Sequence, residues 1–164
     1  MSQFKYITQS LVHVIKNHLK PFDKALLKVP DDKLKFKPAE DALTISELGV
    51  HVYQCLLVNA GAIKQGDFTK ADYNIIPFDT ENIRSSTEIV EYGNKVKKYF
   101  LKVLGELTEE DLDKEITYSC WGGFKAKVSI ALNIVSQEVY HHRGQLCVYL
   151  RMLGIKPPHI YDYS

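Results

Sequence analysis

Apolar residues recur at helical spacing along four stretches of the chain. In the first, roughly Phe4 to Lys28, the residues Phe4, Ile7, Leu11, Val14, Ile15 and Leu19 follow at steps of one, three and four, which lines one face of an α-helix. Pro21 lies inside this stretch. It lacks an amide hydrogen and its ring crowds the carbonyl four residues back, so it predicts a kink or a split. The second stretch opens at Thr44-Ile45-Ser46-Glu47, a capping box in which Thr44 accepts from a backbone N–H while Glu47 reaches back. It runs to about Lys64, with Gly66 as its stop. The third begins at Ser85-Ser86-Thr87-Glu88, again a capping box, and continues to about Leu104 with Gly105 just beyond. Its apolar side carries Ile89, Val96, Phe100, Val103 and Leu104. The fourth and longest runs from about Ala126 to Leu153, ended by Gly154 and by Pro157-Pro158.

The connections are long. Val29 to Leu43 carries two prolines, Asp67 to Arg84 carries Pro77, and Glu106 to Lys125 holds Trp121-Gly122-Gly123. Within the last, Ile116-Thr-Tyr-Ser-Cys alternates and reads as a short extended piece. Loops of this length in a small bundle are often functional. Four amphipathic helices without a run of strands predict an all-α fold, a four-helix bundle with long connections, in a single domain over 1–164. A long crossover between the second and third helices permits parallel neighbours there.

Charge narrows the function. The 164 residues hold 21 Lys+Arg and 20 Asp+Glu, a net charge of +1, which argues against a basic nucleic-acid binder and an acidic disordered tail. The longest charge-free run, between Glu47 and Lys64, contains His51, Gln54 and Asn59 and is too short and polar to span a membrane. The N-terminal residues lack the pattern of a signal peptide. Three cysteines, Cys55, Cys120 and Cys147, form no CxxC motif and read as free thiols in a reducing cytoplasm.

The chemistry concentrates in the fourth helix, at Gln137-Glu138-Val139-Tyr140-His141-His142-Arg143-Gly144-Gln145. Glu138 and His142 are four apart and share a face with Ala131, Val135, Leu146, Tyr149 and Leu153, so both point inward. A buried carboxylate needs a partner or a metal. His51, on the inward stripe Leu48, His51/Val52, Cys55 and Asn59, can supply a third ligand. Together they form either a two-histidine, one-carboxylate set with an open position, as in catalytic zinc sites, or a hydrogen-bonded pair beside a core histidine. His141 points to the flank and reads as a neighbour of the site. Gln145 and Tyr149 lie close enough on the helix to orient a ligand or a substrate. His13, His18 and His159 show no partner pattern.

The string His142-Arg143-Gly144-Gln145-Leu146, then Tyr149-Leu150-Arg151-Met152-Leu153-Gly154 and Pro157-Pro158, resembles the closing segment of the DinB-like (DinB/YfiT) superfamily of metalloenzymes. Lys35-Phe36-Lys37-Pro38 followed by Thr44-Ile45-Ser46-Glu47-Leu48 and His51 is similar to that family's entry into its second helix. The resemblance covers nearly the whole chain. It implies an up-down-down-up four-helix bundle, a homodimer, and a divalent metal, zinc or nickel, held by three histidines. Carried over, His51 and His142 match the first and last of these, while Glu138 stands where the middle histidine is usual. A rival register would use Gln137 and His141. The family's chemistry implies thiol S-transfer, with a low-molecular-weight thiol as cofactor, or a thiol-dependent isomerisation; an open metal position could equally activate water for hydrolysis of a small molecule. The departure at Glu138 keeps a second reading open: a non-catalytic, stress-associated binding or dimerisation module.

Overall fold

The first hydrophobic stretch folds as one continuous helical rod in which Pro21 is accommodated. This computed structural model describes residues 2–118, with Tyr73 as backbone only, and 122–164. Helix α1 (Gln3–His13) passes through a π-helical turn at Val14–His18 into α2 (Leu19–Leu27). The Leu19 amide bonds the Val14 carbonyl, five residues back. The wider turn sits just ahead of Pro21, where a regular ladder would meet the missing donor and the crowding ring. The stretch is thus divided into two α-helices just ahead of Pro21, with helical backbone continuing through the π-turn between them.

Helix α3 (Ile45–Gln65) starts at the expected capping box. The Glu47 amide donates to Thr44 Oγ1 at 3.2 Å, and the Thr44 amide donates to Glu47 Oε2 at 2.7 Å. Gly66 ends it at φ 70°, a left-handed conformation that costs glycine little. Helix α4 (Ser86–Glu106) is capped by Ser85, but the Glu88 carboxylate reaches one residue further back, to the Arg84 amide at 3.0 Å. Gly105 lies inside the last turn rather than past the end, because the chain leaves the helix at Leu107, in extended conformation. Helix α5 (Val128–Met152) begins two residues later than the periodicity predicts. Ala126 belongs instead to a hairpin of β1 (Glu115–Tyr118) and β2 (Phe124–Lys127), where it sits opposite Ile116. The extended piece expected near Ile116 is β1; Ser119, Cys120 and Trp121 lie outside the described residues. At the far end of α5, the Ile155 amide bonds Leu150 O at 2.8 Å and the Gly154 amide bonds Arg151 O at 3.0 Å, a Schellman closure.

Cross-helix contacts give the topology. Tyr53 lies against Gly93 and Gly49 against Ile89, and Lys64 pairs with Glu106 at 3.0 Å. The residue numbers rise together, so α3 and α4 are parallel, and the 67–85 crossover returns the chain to the same end. Against α2 the order reverses: Asp23 meets Tyr53, and Leu26 meets Gly49. Against α5 it reverses again, with His51 beside His142 and Cys55 beside Glu138. The first rod runs parallel to α5, since His18 meets Arg143 and Lys28 meets Lys156. The result is an up-down-down-up four-helix bundle around one continuous apolar core that includes Phe22, Tyr53, Leu56, Phe100 and Leu132. Among the described residues no helix is long and apolar enough to cross a membrane.

The parallel α3–α4 seam depends on Gly93. A β-carbon there would stand 2.3 Å from the Tyr53 ring, and that ring is fully buried, with its hydroxyl donating to Asp23. Overpacking of this kind costs about 3 kcal/mol, offset by about 1 kcal/mol of helix propensity. Gly93→Ala is therefore expected to lower stability by roughly 2 kcal/mol, read as a reduced urea midpoint at unchanged m-value.

Candidate metal centre

Three side chains from two antiparallel helices meet at one carboxylate oxygen. Glu138 and His142 are stacked one turn apart on α5 by helical geometry, and His142 Nε2 lies 3.0 Å from Glu138 Oε2. His51, from α3, brings its Nε2 to 3.5 Å from the same oxygen. The two imidazoles pack edge to face at 4.6 Å between centroids. The residues expected from the sequence to form the site, His51, Glu138 and His142, are thus neighbours. The structure adds one that sequence reasoning set aside. Cys55, one turn beyond His51, places Sγ 3.4 Å from His51 Nε2 and 3.7 Å from Glu138 Oε2. The signal was present in the pattern His51-x-x-x-Cys55 on a shared helix face, but CxxC spacing was the wrong template for it.

Two observations show that this donor set suits a cation. Gln145 Oε1 lies 2.6 Å from His142 Nδ1, and an amide oxygen only accepts, so Nδ1 carries the hydrogen. Nε2, on the other side of the ring, faces Glu138 Oε2, an oxygen that accepts when ionised. A cation between them, or a second proton, resolves the opposition, and an outer partner on Nδ1 is the usual arrangement of a ligating histidine. Burial and the neighbouring His142 lower the pKa of His51, outweighing the pull of Glu138, which favours the neutral form that ligates. Burial, reinforced by the Glu138 carboxylate, pushes the Cys55 thiol up to about 12. Without a metal, Cys55 is a thiol whose S–H points to Glu138.

The cluster lines a cavity of about 450 Å³ between α3 and α5. Phe68 and Tyr118, with ring centroids 5.0 Å apart, form part of its wall, so the crossover and the hairpin that the long connections build enclose this space. Asn59 also lines it; its Nδ2 donates to Cys55 O at 2.8 Å, while Oδ1 is a buried acceptor without a partner among the described residues. A buried acceptor of this kind marks a place for a ligand or water.

The other candidates are distributed differently. His141 is exposed but lines the same cavity, with its ring 4.8 Å from that of His142. Gln145 acts on His142. Tyr149 is buried against Phe36, with ring centroids 6.2 Å apart, and is not part of the cavity wall. Gln137, the partner of His141 in the rival register, is exposed and lies off the wall. His13 and His18 meet edge to face with ring centroids 5.1 Å apart, and the Tyr163 hydroxyl lies 3.0 Å from His18 Nδ1. His159 packs near Tyr161 in the C-terminal segment. Cys55 and Cys147 are free thiols. A larger groove of about 870 Å³ between α1 and α5 has no carboxylate or thiol among its described walls, so it offers no comparable donor set.

A sequence model of the DinB family matches residues 1–164. The chain belongs to the DinB family. It is 29% identical over 127 residues to the uncharacterised protein YjoA of Bacillus subtilis strain 168, covering 77% of this chain and 78% of that protein. The crystal structure of YjoA, a DinB-like protein, superposes with a TM-score of 0.73 at 24% identity, over 93% of this chain and 98% of the other. YfiT from Bacillus subtilis, described as a probable metal-dependent hydrolase with an unusual four-helix bundle topology, gives a TM-score of 0.71 at 12% identity, over 95% and 91%. A variant of a mycothiol-dependent maleylpyruvate isomerase gives 0.64 at 13%, over 89% of this chain and 63% of the other. These likenesses show the fold, a four-helix bundle.

Proposed function

We propose that this DinB-family protein is a divalent-metal-dependent enzyme that acts on a small molecule in the cavity beside Glu138, by hydrolysis or by thiol S-transfer. The observation that carries this reading is the meeting of His51 Nε2 and His142 Nε2 at Glu138 Oε2, 3.5 and 3.0 Å away, on the wall of that cavity. His51, Glu138 and His142 would hold a zinc or nickel ion. When bound, such an ion supplies Lewis acidity, which favours the deprotonated form of an oxygen or sulfur nucleophile at neutral pH. Gln145 fixes the His142 ring so that Nε2 keeps its lone pair for the site. Phe68 and Tyr118 present an apolar wall that limits water around the substrate. Asn59 Oδ1 accepts a hydrogen bond from a substrate N–H or O–H. The likeness to YfiT favours hydrolysis and that to the isomerase favours thiol chemistry; turnover of activated esters and amides with and without an added low-molecular-weight thiol separates them.

The test is elemental analysis of protein purified without chelator or metal-affinity resin, paired with thermal denaturation. A stoichiometric transition metal, and a higher melting temperature on adding zinc or nickel to the stripped protein, are the expected results. Absence of both overturns the reading. A second reading, a non-catalytic bundle, rests on Glu138 standing where the family resemblance expects histidine. It requires that His142→Ala leave folding and cellular phenotype intact; joint loss of metal and phenotype excludes it.

A further inference from the structure

We propose that Cys55 is itself a metal ligand, so that the centre is a mixed nitrogen, oxygen and sulfur site rather than an all-histidine one. This rests on the metal-dependent reading above. The argument is geometric. Metal–ligand bonds of about 2.0 to 2.3 Å to imidazole, carboxylate and thiolate place tetrahedral ligand atoms roughly 3.3 to 3.8 Å apart, which is 1.6 times the bond length. His51 Nε2, Cys55 Sγ and Glu138 Oε2 are separated by 3.4, 3.5 and 3.7 Å. All three spacings fall within that range, so these atoms outline one face of a tetrahedron before any ion enters. The same three residues form a mutually close donor group among the described residues. His142 Nε2 lies 3.0 Å from Glu138 Oε2 and outside this mutually close group.

The local fold explains the placement. His51 and Cys55 are four residues apart on α3, so helical geometry presents them together, and α5 runs antiparallel with Glu138 opposite the gap between them. Cys55 is half-buried on the cavity wall. Its neighbours on the cluster side are an imidazole nitrogen and a carboxylate oxygen, both ligands in their own right. Binding exchanges the thiol proton, released to solvent, for a metal–sulfur bond. Sulfur ligation biases the site toward zinc and other borderline-soft ions over magnesium or calcium, which prefer oxygen. With His51, Cys55 and Glu138 bound, one tetrahedral position is left, and if His142 were to move into it the thiolate would occupy the place of a substrate. Substrate must then displace Cys55 or enter as a fifth donor.

Cobalt(II) reports the sulfur directly. The stripped full-length protein, titrated with cobalt(II) under anaerobic conditions, is expected to show visible ligand-field bands together with a near-ultraviolet sulfur-to-cobalt charge-transfer band. Cys55→Ser is expected to keep the ligand-field bands and lose the charge-transfer band, with Cys147→Ser unchanged from wild type. X-ray absorption of the zinc-loaded wild-type protein should show one sulfur at about 2.3 Å, a measurement that does not depend on any variant folding. Uptake of cobalt with no charge-transfer band and no zinc–sulfur distance overturns the sulfur ligand while leaving the metal-dependent reading standing. No uptake of cobalt or zinc at all overturns both.

Discussion

Replacing Glu138 by glutamine is expected to abolish most of the stabilisation that zinc would confer on the wild-type protein under the proposed metal-dependent function. Glu138 Oε2 is the atom on which the site converges, within 3.0 Å of His142, 3.5 Å of His51 and 3.7 Å of Cys55. The amide keeps the shape of the side chain but loses its charge and its affinity for a cation. Loss of an outer partner of a metal ligand already costs roughly 10- to 100-fold in affinity, so loss of a ligand should cost at least about 100-fold. At a zinc concentration about 100 times the wild-type Kd, the bound ion stabilises the fold by about 2.7 kcal/mol, and a 100-fold weaker variant retains only about 0.4 kcal/mol. For a chain of this length the difference is several degrees in melting temperature. The metal-free forms should differ by less than about 1 kcal/mol, because glutamine can still hydrogen-bond the imidazoles. Calorimetric titration with zinc measures the affinity directly; an unchanged Kd would show that Glu138 is not a ligand.

Asp23→Ala is expected to be the most damaging substitution away from the site, at about 3 to 5 kcal/mol. Asp23 on α2 pairs with Lys97 on α4 at 2.5 Å and accepts from the Tyr53 hydroxyl on α3 at 2.5 Å, with both charged side chains largely buried. Removing the carboxylate leaves Lys97 charged without its partner and Tyr53 without an acceptor, in a place water scarcely reaches. Asp23→Leu combined with Lys97→Met should recover most of the loss, since a well-packed apolar pair replaces a buried ion pair at little cost. Urea denaturation at neutral pH gives both numbers. The pH dependence has a definite sign. Burial raises the pKa of Asp23, opposed by Lys97 and Tyr53, so the folded state holds this proton more tightly than the unfolded chain. Its contribution is complete below the ordinary carboxylate value of 3.8 and declines as pH climbs through the folded value. The stability gap between wild type and Asp23→Asn should therefore narrow as pH rises through that interval, and a gap that widens would show that pairing with Lys97 outweighs burial.

Much of the architecture was legible in the sequence because helices are local objects. The Thr44 to Glu47 capping box, the Gly66 stop and the Gly154 closure are chemistry between residues a few positions apart, and each formed as the pattern predicts. Errors arose where the deciding partner was distant or the local rule had an exception. Pro21 marked the division of the first stretch, but the form it took, a π-turn just ahead of the proline, was not predictable from the local rule. Ala126 left the helix for the hairpin because Ile116 offered a strand partner. Tyr149, on the face of His142 by periodicity, was turned to Phe36, a residue of another connection. His141 was the reverse, off the site face by periodicity yet on the cavity wall.

By itself the sequence determined the helices, their apolar faces and the stacking of Glu138 with His142, since a rise of four residues puts two side chains on one face in any helix. It also set His51 and Cys55 on one face of α3 for the same reason, without saying what they would meet. The tertiary structure alone decided that α3 lies antiparallel to α5, so that those two faces oppose each other and His51, Cys55, Glu138 and His142 share one carboxylate oxygen. That pairing spans 83 residues between Cys55 and Glu138. It is fixed by core packing and by the parallel α3–α4 crossover, interactions that no local pattern encodes.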